Sequence, residues 1–232
     1  MKIDTHMHSK ASDGLWTPSQ VVVEAKNRGL DVIALTDHDS IQGLREAMEI
    51  GSVLDIRVVT GIEIDAVYDC GDVKVRDLEL LGLGFEIPLM QDFALSRAKA
   101  RMDAMDGYCK AYNEYILGEG FSRNATMKYS LVDPKPLCVA DVINHRNNKL
   151  HYDNPHPFIS KPDLLEVILT RYGADRDCIR GAIASGRKES RECKAEYSFL
   201  WVGNAKKPTF YEAIDAVHRA GGKAVIAQPG LS

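Results

Sequence analysis

Two histidines spaced by one residue, His6 and His8, follow an aspartate at the same spacing, Asp4. In a β-strand side chains repeat every two residues, so these three groups share one face while Ile3, Thr5 and Met7 occupy the other. Their Cβ atoms then sit about 6 to 7 Å apart, close enough for two imidazoles to converge on one cation at Zn–N distances of about 2.0–2.1 Å. An isolated His-x-His is more often an ordinary feature of an edge strand. Here two further short apolar runs end in polar groups: residues 31–39 in Asp37-His38-Asp39, and residues 57–65 in Glu63-Ile64-Asp65. Period-two counting puts Val32, Ala34, Thr36 and His38 on one face, and Val59, Gly61, Glu63 and Asp65 on one face of the next run. Three strands that each end in metal-ligand types point to a cation site.

The elements that must position these groups alternate. Between the first two strands, Thr17 is a candidate N-cap with Pro18 at the helix start, and Val21, Val22, Ala25 and Leu30 form an apolar stripe closed by Gly29. Between the second and third, Ile41, Leu44, Ala47, Met48 and Ile50 keep helical period, with Gly51 near the stop. Strands alternating with such helices predict βαβ units and a parallel sheet. In such sheets reactive groups gather at the carboxyl ends of the strands, where His8, His38 and Glu63 fall. Residues 73–86 read as one more strand. After Pro88 the pattern changes to a helix through Met102, Met105, Tyr108, Tyr112 and Ile116, a loop over residues 144–157, and a helix from Pro162 to Tyr172. The α/β rhythm resumes at Pro208, with a helix through Phe210, Ala213, Ile214 and Val217 and a strand over 223–227. The expected organisation is residues 1–90, an inserted, mostly helical domain over 91–207, and a return to α/β over 208–232.

Composition is that of an ordinary globular protein: 232 residues, 45% hydrophobic and 27% charged. No apolar run reaches the roughly 18–20 residues that span a bilayer. The N-terminus lacks a signal-peptide pattern, so the expected compartment is the cytoplasm, without a membrane partner. Cys70, Cys109, Cys138, Cys178 and Cys193 form no Cys-x-x-Cys pair and read as reduced thiols. Residues 91–207 carry 19 Lys+Arg against 15 Asp+Glu, whereas the rest carries 10 against 18. The acidic part contains the ligand carboxylates, and several unpaired carboxylates buried together favour a cation among them. The basic part can face a phosphate or simply be a solvated surface. Serine-hydrolase and P-loop motifs are absent, as is the basic stripe expected for duplex nucleic acid.

These residues resemble the polymerase and histidinol phosphatase (PHP) superfamily, within it the small phosphoesterases that act on nucleotides. The matching segments are DTHMHSKASDG (4–14), ALTDHDSIQGLREA (34–47), VVTGIEI (58–64), LELLGLGFE (78–86) and EAIDAVHRAGGKAVIAQPG (212–230). The resemblance implies a seven-stranded βα barrel with one to three divalent ions (Mn, Zn, Fe or Mg) at the strand ends. It implies that His6, His8 and Glu63 hold one ion, with Glu63 bridging to a second, and that Asp13 and His38 are ligands of a third. His38 and Asp13 are then the candidate catalytic groups, Asp37 and Asp39 orient imidazoles, and Arg97, Arg101 and Lys161 are candidate phosphate contacts. Two positions depart from the family. Glu79 stands as a candidate ligand where relatives have His, and Gln228 stands where they have the His of Ala-His-Pro; both changes fall on the second ion. Relatives also continue past this point, so the barrel is expected to be incomplete in this chain. The implied activity is hydrolysis of a small phosphomonoester, in particular a nucleotide. The alternatives are a degenerate protein that binds metal or nucleotide without turnover, and a histidinol-phosphate-type phosphatase. Oligomeric state is not legible.

Overall fold

In the computed structural model the description covers residues 1–117, 133–154, 156–172 and 205–227. Contacts divide the chain into two compact units: Met1–Ala100, Leu150–Phe158 and Lys206–Ser232 form the first, and Arg101–Lys149 and Ile159–Ala205 the second. Cys178, Cys193 and Gln228 lie outside the described residues.

The first unit is a mixed α/β structure. Its strands are β1 (Ile3–Met7), β2 (Val32–Leu35), β3 (Arg57–Cys70), β4 (Val73–Leu83) and β5 (Lys223–Ile226), hydrogen-bonded in that order in a five-stranded sheet. β1, β2 and β3 are parallel. They are linked by α1 (Pro18–Asn27) and α2 (Leu44–Leu54), as expected of βαβ units. Thr17 caps α1 in a full capping box with Gln20.

The expectation of a wholly parallel sheet needs correction. β4 is antiparallel to both β3 and β5. Only Gly71 and Asp72 separate Cys70 from Val73, and two residues can close a hairpin but cannot carry a crossover. The Gly-Asp pair between two β-type runs was the available signal. Gly51 falls near the end of α2, as expected; the helix closes at the C-cap Asp55, which takes the left-handed conformation and donates its amide to Gly51 O. Gly51 is also a close-approach position, because a Cβ there would meet Val58 Cγ2 at 2.5 Å.

The core of this unit lies between sheet and helices. Ile33, Leu35, Ile62, Ile64 and Leu80 meet Val22 of α1, Leu44 and Ala47 of α2, and Val217 of α6 (Phe210–Arg219). Such burial contributes roughly 1.5–3 kcal/mol for each large apolar side chain. A second capping box, Thr209 with Glu212, starts α6.

The second unit is helical in its described part. It takes the later turns of α3 (Ile87–Leu117), α4 (Val139–Leu150) up to Lys149, and α5 (Lys161–Tyr172). Its core gathers Met105, Tyr108, Tyr112, Val142, Leu164, Leu165, Val167 and Ile168. Residues 144–150, expected as loop, are the last turns of α4. Asn and His there are weak helix formers, but tertiary contacts override the propensity. Val142 is buried, Arg146 Nη1 donates to Asp163 Oδ1 at 2.6 Å, and Lys149 Nζ reaches Glu166 at 2.7 Å. No described helix is long and apolar enough to cross a membrane.

Candidate metal centre

The ligand types come together because β1 and β2 end beside the middle of β3, where Glu63 sits; β3 itself does not end there, as its polar residues suggested, but runs on to Cys70. His6 is in β1 and His8 is just beyond it, on the same face. Thr36 N donates to Met7 O at 2.7 Å, which holds the end of β1 against the end of β2. Beyond β2 the chain keeps contact with β3 through an isolated bridge between His38 and Glu63. Two backbone bonds make that bridge: Asp39 N to Glu63 O at 2.7 Å and Glu63 N to Asp37 O at 3.2 Å.

Glu63 is the centre of the cluster. Its side chain is 2% exposed, and Oε2 lies 3.0 Å from His6 Nε2, 3.0 Å from His8 Nε2 and 3.5 Å from His38 Nε2. Asp13 closes the other side, with Oδ1 3.2 Å from His8 Nδ1 and Oδ2 3.8 Å from His38 Nε2. The rings follow one another, with centroids 5.1 Å apart for His6 and His8 and 4.7 Å for His8 and His38.

The loop that presents Asp13 is folded onto Asp37. Ser9 N and Ser9 Oγ each donate to this buried carboxylate at 2.7 Å, and Ser12 Oγ donates at 2.6 Å. Gly14 N donates to Ser9 O at 2.9 Å, and a Cβ on Gly14 would lie 2.6 Å from His8 O, so the loop closes only with glycine there.

Electrostatics bind the cluster together. Burial alone would lower the His8 pKa, but hydrogen bonds to Asp13 and Glu63 outweigh it and raise the imidazole to about 10. Asp13 is held down at about 2, first by its hydrogen bond with His8. Burial pushes Glu63 up, yet the hydrogen bonds from His8 and His6 and the charge of His38 leave it below the usual carboxylate range. His38 is lowered by burial and raised more by Asp65, Glu63 and Asp13.

The donor set fits divalent cations. His6, His8 and Glu63 form one group, and His8, Asp13 and His38 a second, each with ligand atoms within 4.8 Å of one another. Bonds of about 2.0–2.2 Å in tetrahedral array separate ligand atoms by about 3.4 Å, close to the spacings around Glu63. Glu63 Oε1 is buried without a hydrogen-bond partner among the described residues, a costly state for a carboxylate oxygen that a cation would relieve.

Other expected site residues fall as follows. Glu79 faces Asp65 across the β3–β4 ladder and belongs to neither group; burial and then the nearby Glu63 raise its pKa. Asp37 caps the 9–14 loop, and Asp39 faces Arg97, with Oδ1 3.3 Å from Nε and Oδ2 3.5 Å from Nη2. These carboxylates are met by Ser9, Ser12 and Arg97, while Asp65 is the carboxylate that faces His38 Nδ1, its Oδ1 3.6 Å away. Arg97 is 5% exposed and also donates to Lys206 O at 2.6 Å. Arg101 and Lys161 belong to the second unit, where Lys161 Nζ lies 5.0 Å above the Tyr108 ring.

Three contributors were not singled out from sequence. Asp65 shares the counted face of β3 with Glu63, so period two was its signal. Phe158, stacked on His38 at 5.4 Å, and Lys207, whose Nζ is 3.6 Å from Asp65 Oδ2, come from far along the chain and carry no local signal.

Several known proteins are similar to this chain. A 5'-3' exoribonuclease of Haemophilus influenzae is 28% identical over 98% of this chain, which spans 69% of that protein's length. A phosphoribosyl 1,2-cyclic phosphate 1,2-diphosphodiesterase of Eggerthella lenta is 45% identical over 36% of the chain and 30% of its own length. A 3',5'-nucleoside bisphosphate phosphatase of Chromobacterium violaceum is 36% identical over 36% of the chain and 28% of its own length. The fold is similar to that of a solved Bifidobacterium adolescentis protein, with a TM-score of 0.63 and 22% identity over 99% of this chain and 68% of that one. Residues 4–157, most of the chain, match the PHP domain model, and the residues that meet around Glu63 lie inside that match; the chain belongs to the PHP domain family.

Proposed function

We propose that this chain hydrolyses a phosphate ester of a nucleotide, a small phosphomonoester in the first instance, with divalent cations held at the cluster around Glu63. The observation that carries this reading is Glu63 itself: one carboxylate oxygen lies among three imidazoles, and the other is buried without a hydrogen-bond partner among the described residues. His6, His8 and Glu63 would hold one ion. The second group shares His8 with the first, and Glu63 keeps a second carboxylate oxygen beyond the one that faces the imidazoles. When bound, such cations lower the pKa of a water toward neutrality and offset charge on the phosphoryl oxygens.

The chain's own groups supply the rest. With one ion at His6, His8 and Glu63, His38 is left with Asp65 behind Nδ1 and Asp13 in front of Nε2. Both carboxylates favour the imidazolium, a form able to protonate a leaving oxygen. Lys207 holds an ammonium next to Asp65 and is a candidate phosphate contact.

A second reading is exonucleolytic cleavage of a phosphodiester at the 5' end of a short single-stranded RNA. It is favoured by the match to the Haemophilus influenzae exoribonuclease over 98% of this chain. One experiment separates the readings. The protein, loaded with Mn²⁺, Zn²⁺ or Mg²⁺ in turn, is given AMP, a 3',5'-nucleoside bisphosphate and a 5'-phosphorylated RNA oligomer. Phosphate release from the first two supports the phosphomonoesterase. Stepwise release of mononucleotides supports the exoribonuclease. Metal uptake without turnover of any of them supports the degenerate binder.

A further inference from the structure

We infer that Arg97 is a positioning residue for His38 and does not touch the substrate phosphate; the inference rests on the reading of the cluster as a metal centre. Arg97 and Asp39 are 5% and 4% exposed, so the pair is almost wholly out of water. Asp39 follows His38 directly and takes a left-handed backbone, φ 48°. That conformation is uncommon outside glycine, although aspartate tolerates it better than most residues, and it persists where the surroundings enforce it.

Two constraints do so here. The Asp39 amide is bound to Glu63 O at 2.7 Å, and the Asp39 carboxylate is gripped by the Nε and Nη2 groups of Arg97. Together they fix the peptide on which His38 is mounted relative to Glu63. The third arm of the guanidinium acts on the other flank of the same imidazole. Nη1 donates to Lys206 O at 2.6 Å, and the next residue, Lys207, lies 3.6 Å from Asp65, whose other oxygen faces His38 Nδ1. One buried side chain therefore braces the segment before α6 and the loop after β2, which hold His38 from its two sides. A guanidinium committed to these three acceptors is poorly placed to meet a phosphate.

The test compares wild type with Arg97→Met and Arg97→Lys in the full chain. In metal-free protein, nitrogen-15 spectra of the histidine rings should show His38 displaced in Arg97→Met while His6 is unmoved. With Zn²⁺ alone as probe, affinity should fall about 10- to 100-fold, and Arg97→Lys should recover part of it. At saturating metal, KM should stay as in wild type while kcat falls. A raised KM with unmoved His38 resonances and unchanged Zn²⁺ affinity would overturn the inference and make Arg97 a substrate contact. If wild type takes up no Zn²⁺ yet His38 still moves in Arg97→Met, the metal reading fails and the positioning role stands. Unmoved His38 resonances sink it in every case. Should Arg97→Met fail to fold once the Asp39 charge is no longer offset by the guanidinium, the double variant Asp39→Asn, Arg97→Met removes that charge and is read in its place.

Discussion

The two ligand groups that meet at His8 are built on different supports. His6, His8 and Glu63 belong to strands or to residues directly beyond them, and their carboxylate is 2% exposed. His8, Asp13 and His38 depend on two loops, and their carboxylate is 52% exposed. The strand-held group inherits its geometry from backbone ladders that the core of the first unit would maintain in any case. The loop-held group needs dedicated fasteners: three donors on Asp37, the glycine at 14, and Arg97 on Asp39. On the proposed reading the strand-held group would hold its ion tightly, and the loop-held group, where it takes an ion in place of a proton on His38, would hold it more weakly.

The comparison can be broken most severely at Glu63, which lies within 3.5 Å of an imidazole nitrogen from each of three histidines. Glu63→Gln should weaken divalent-metal binding by about 100-fold or more, beyond what loss of a supporting partner costs, as read by calorimetric titration. Retention of tight binding would shift the centre elsewhere. The next effect falls on the fasteners. Ser12→Ala removes one of three donors to a buried carboxylate and should cost about 1.5–3 kcal/mol of stability, measured by urea unfolding. The strand-held ion should keep its affinity if the two supports are independent. Asp13→Asn sharpens the contrast: about a tenfold loss confined to the weaker ion is expected, since this ligand is half in solvent and the strand-held group does not contain it. Smallest of all, Glu79→Gln lies outside both groups and should change metal affinity by less than about threefold, an effect of roughly 0.6 kcal/mol. A large loss would return Glu79 to the ligand set that its position suggested.

Legibility in the sequence followed the same division. His6, His8, His38 and Glu63 could be placed on shared faces because strand period needs no knowledge of tertiary structure, and the PHP resemblance added Asp13. The first two βαβ connections were readable from Thr17-Pro18 and from the stripes on α1 and α2. The antiparallel course of β4 was missed because hydrophobic pattern does not record direction; only Gly71-Asp72 did. Gly51 correctly marks the neighbourhood of the α2 stop, but its close approach to Val58 is not legible in sequence, where a packing glycine and a terminating glycine look alike. Asp37 and Asp39 flank the same histidine and invited the same role. Their partners, Ser9 with Ser12 and Arg97, are brought to them only by the fold. Helix α4 was read as loop over its last turns because Arg146 and Lys149 find their stabilising partners on α5.

The most direct test of the account is the metal content of Glu63→Gln beside that of wild type, both purified without chelator, reloaded with Mn²⁺ or Zn²⁺ and desalted. The account predicts at least one retained ion per chain in wild type and near none in the variant, with far-ultraviolet circular dichroism unchanged. Equal retention by the two proteins, or none by wild type, would contradict it.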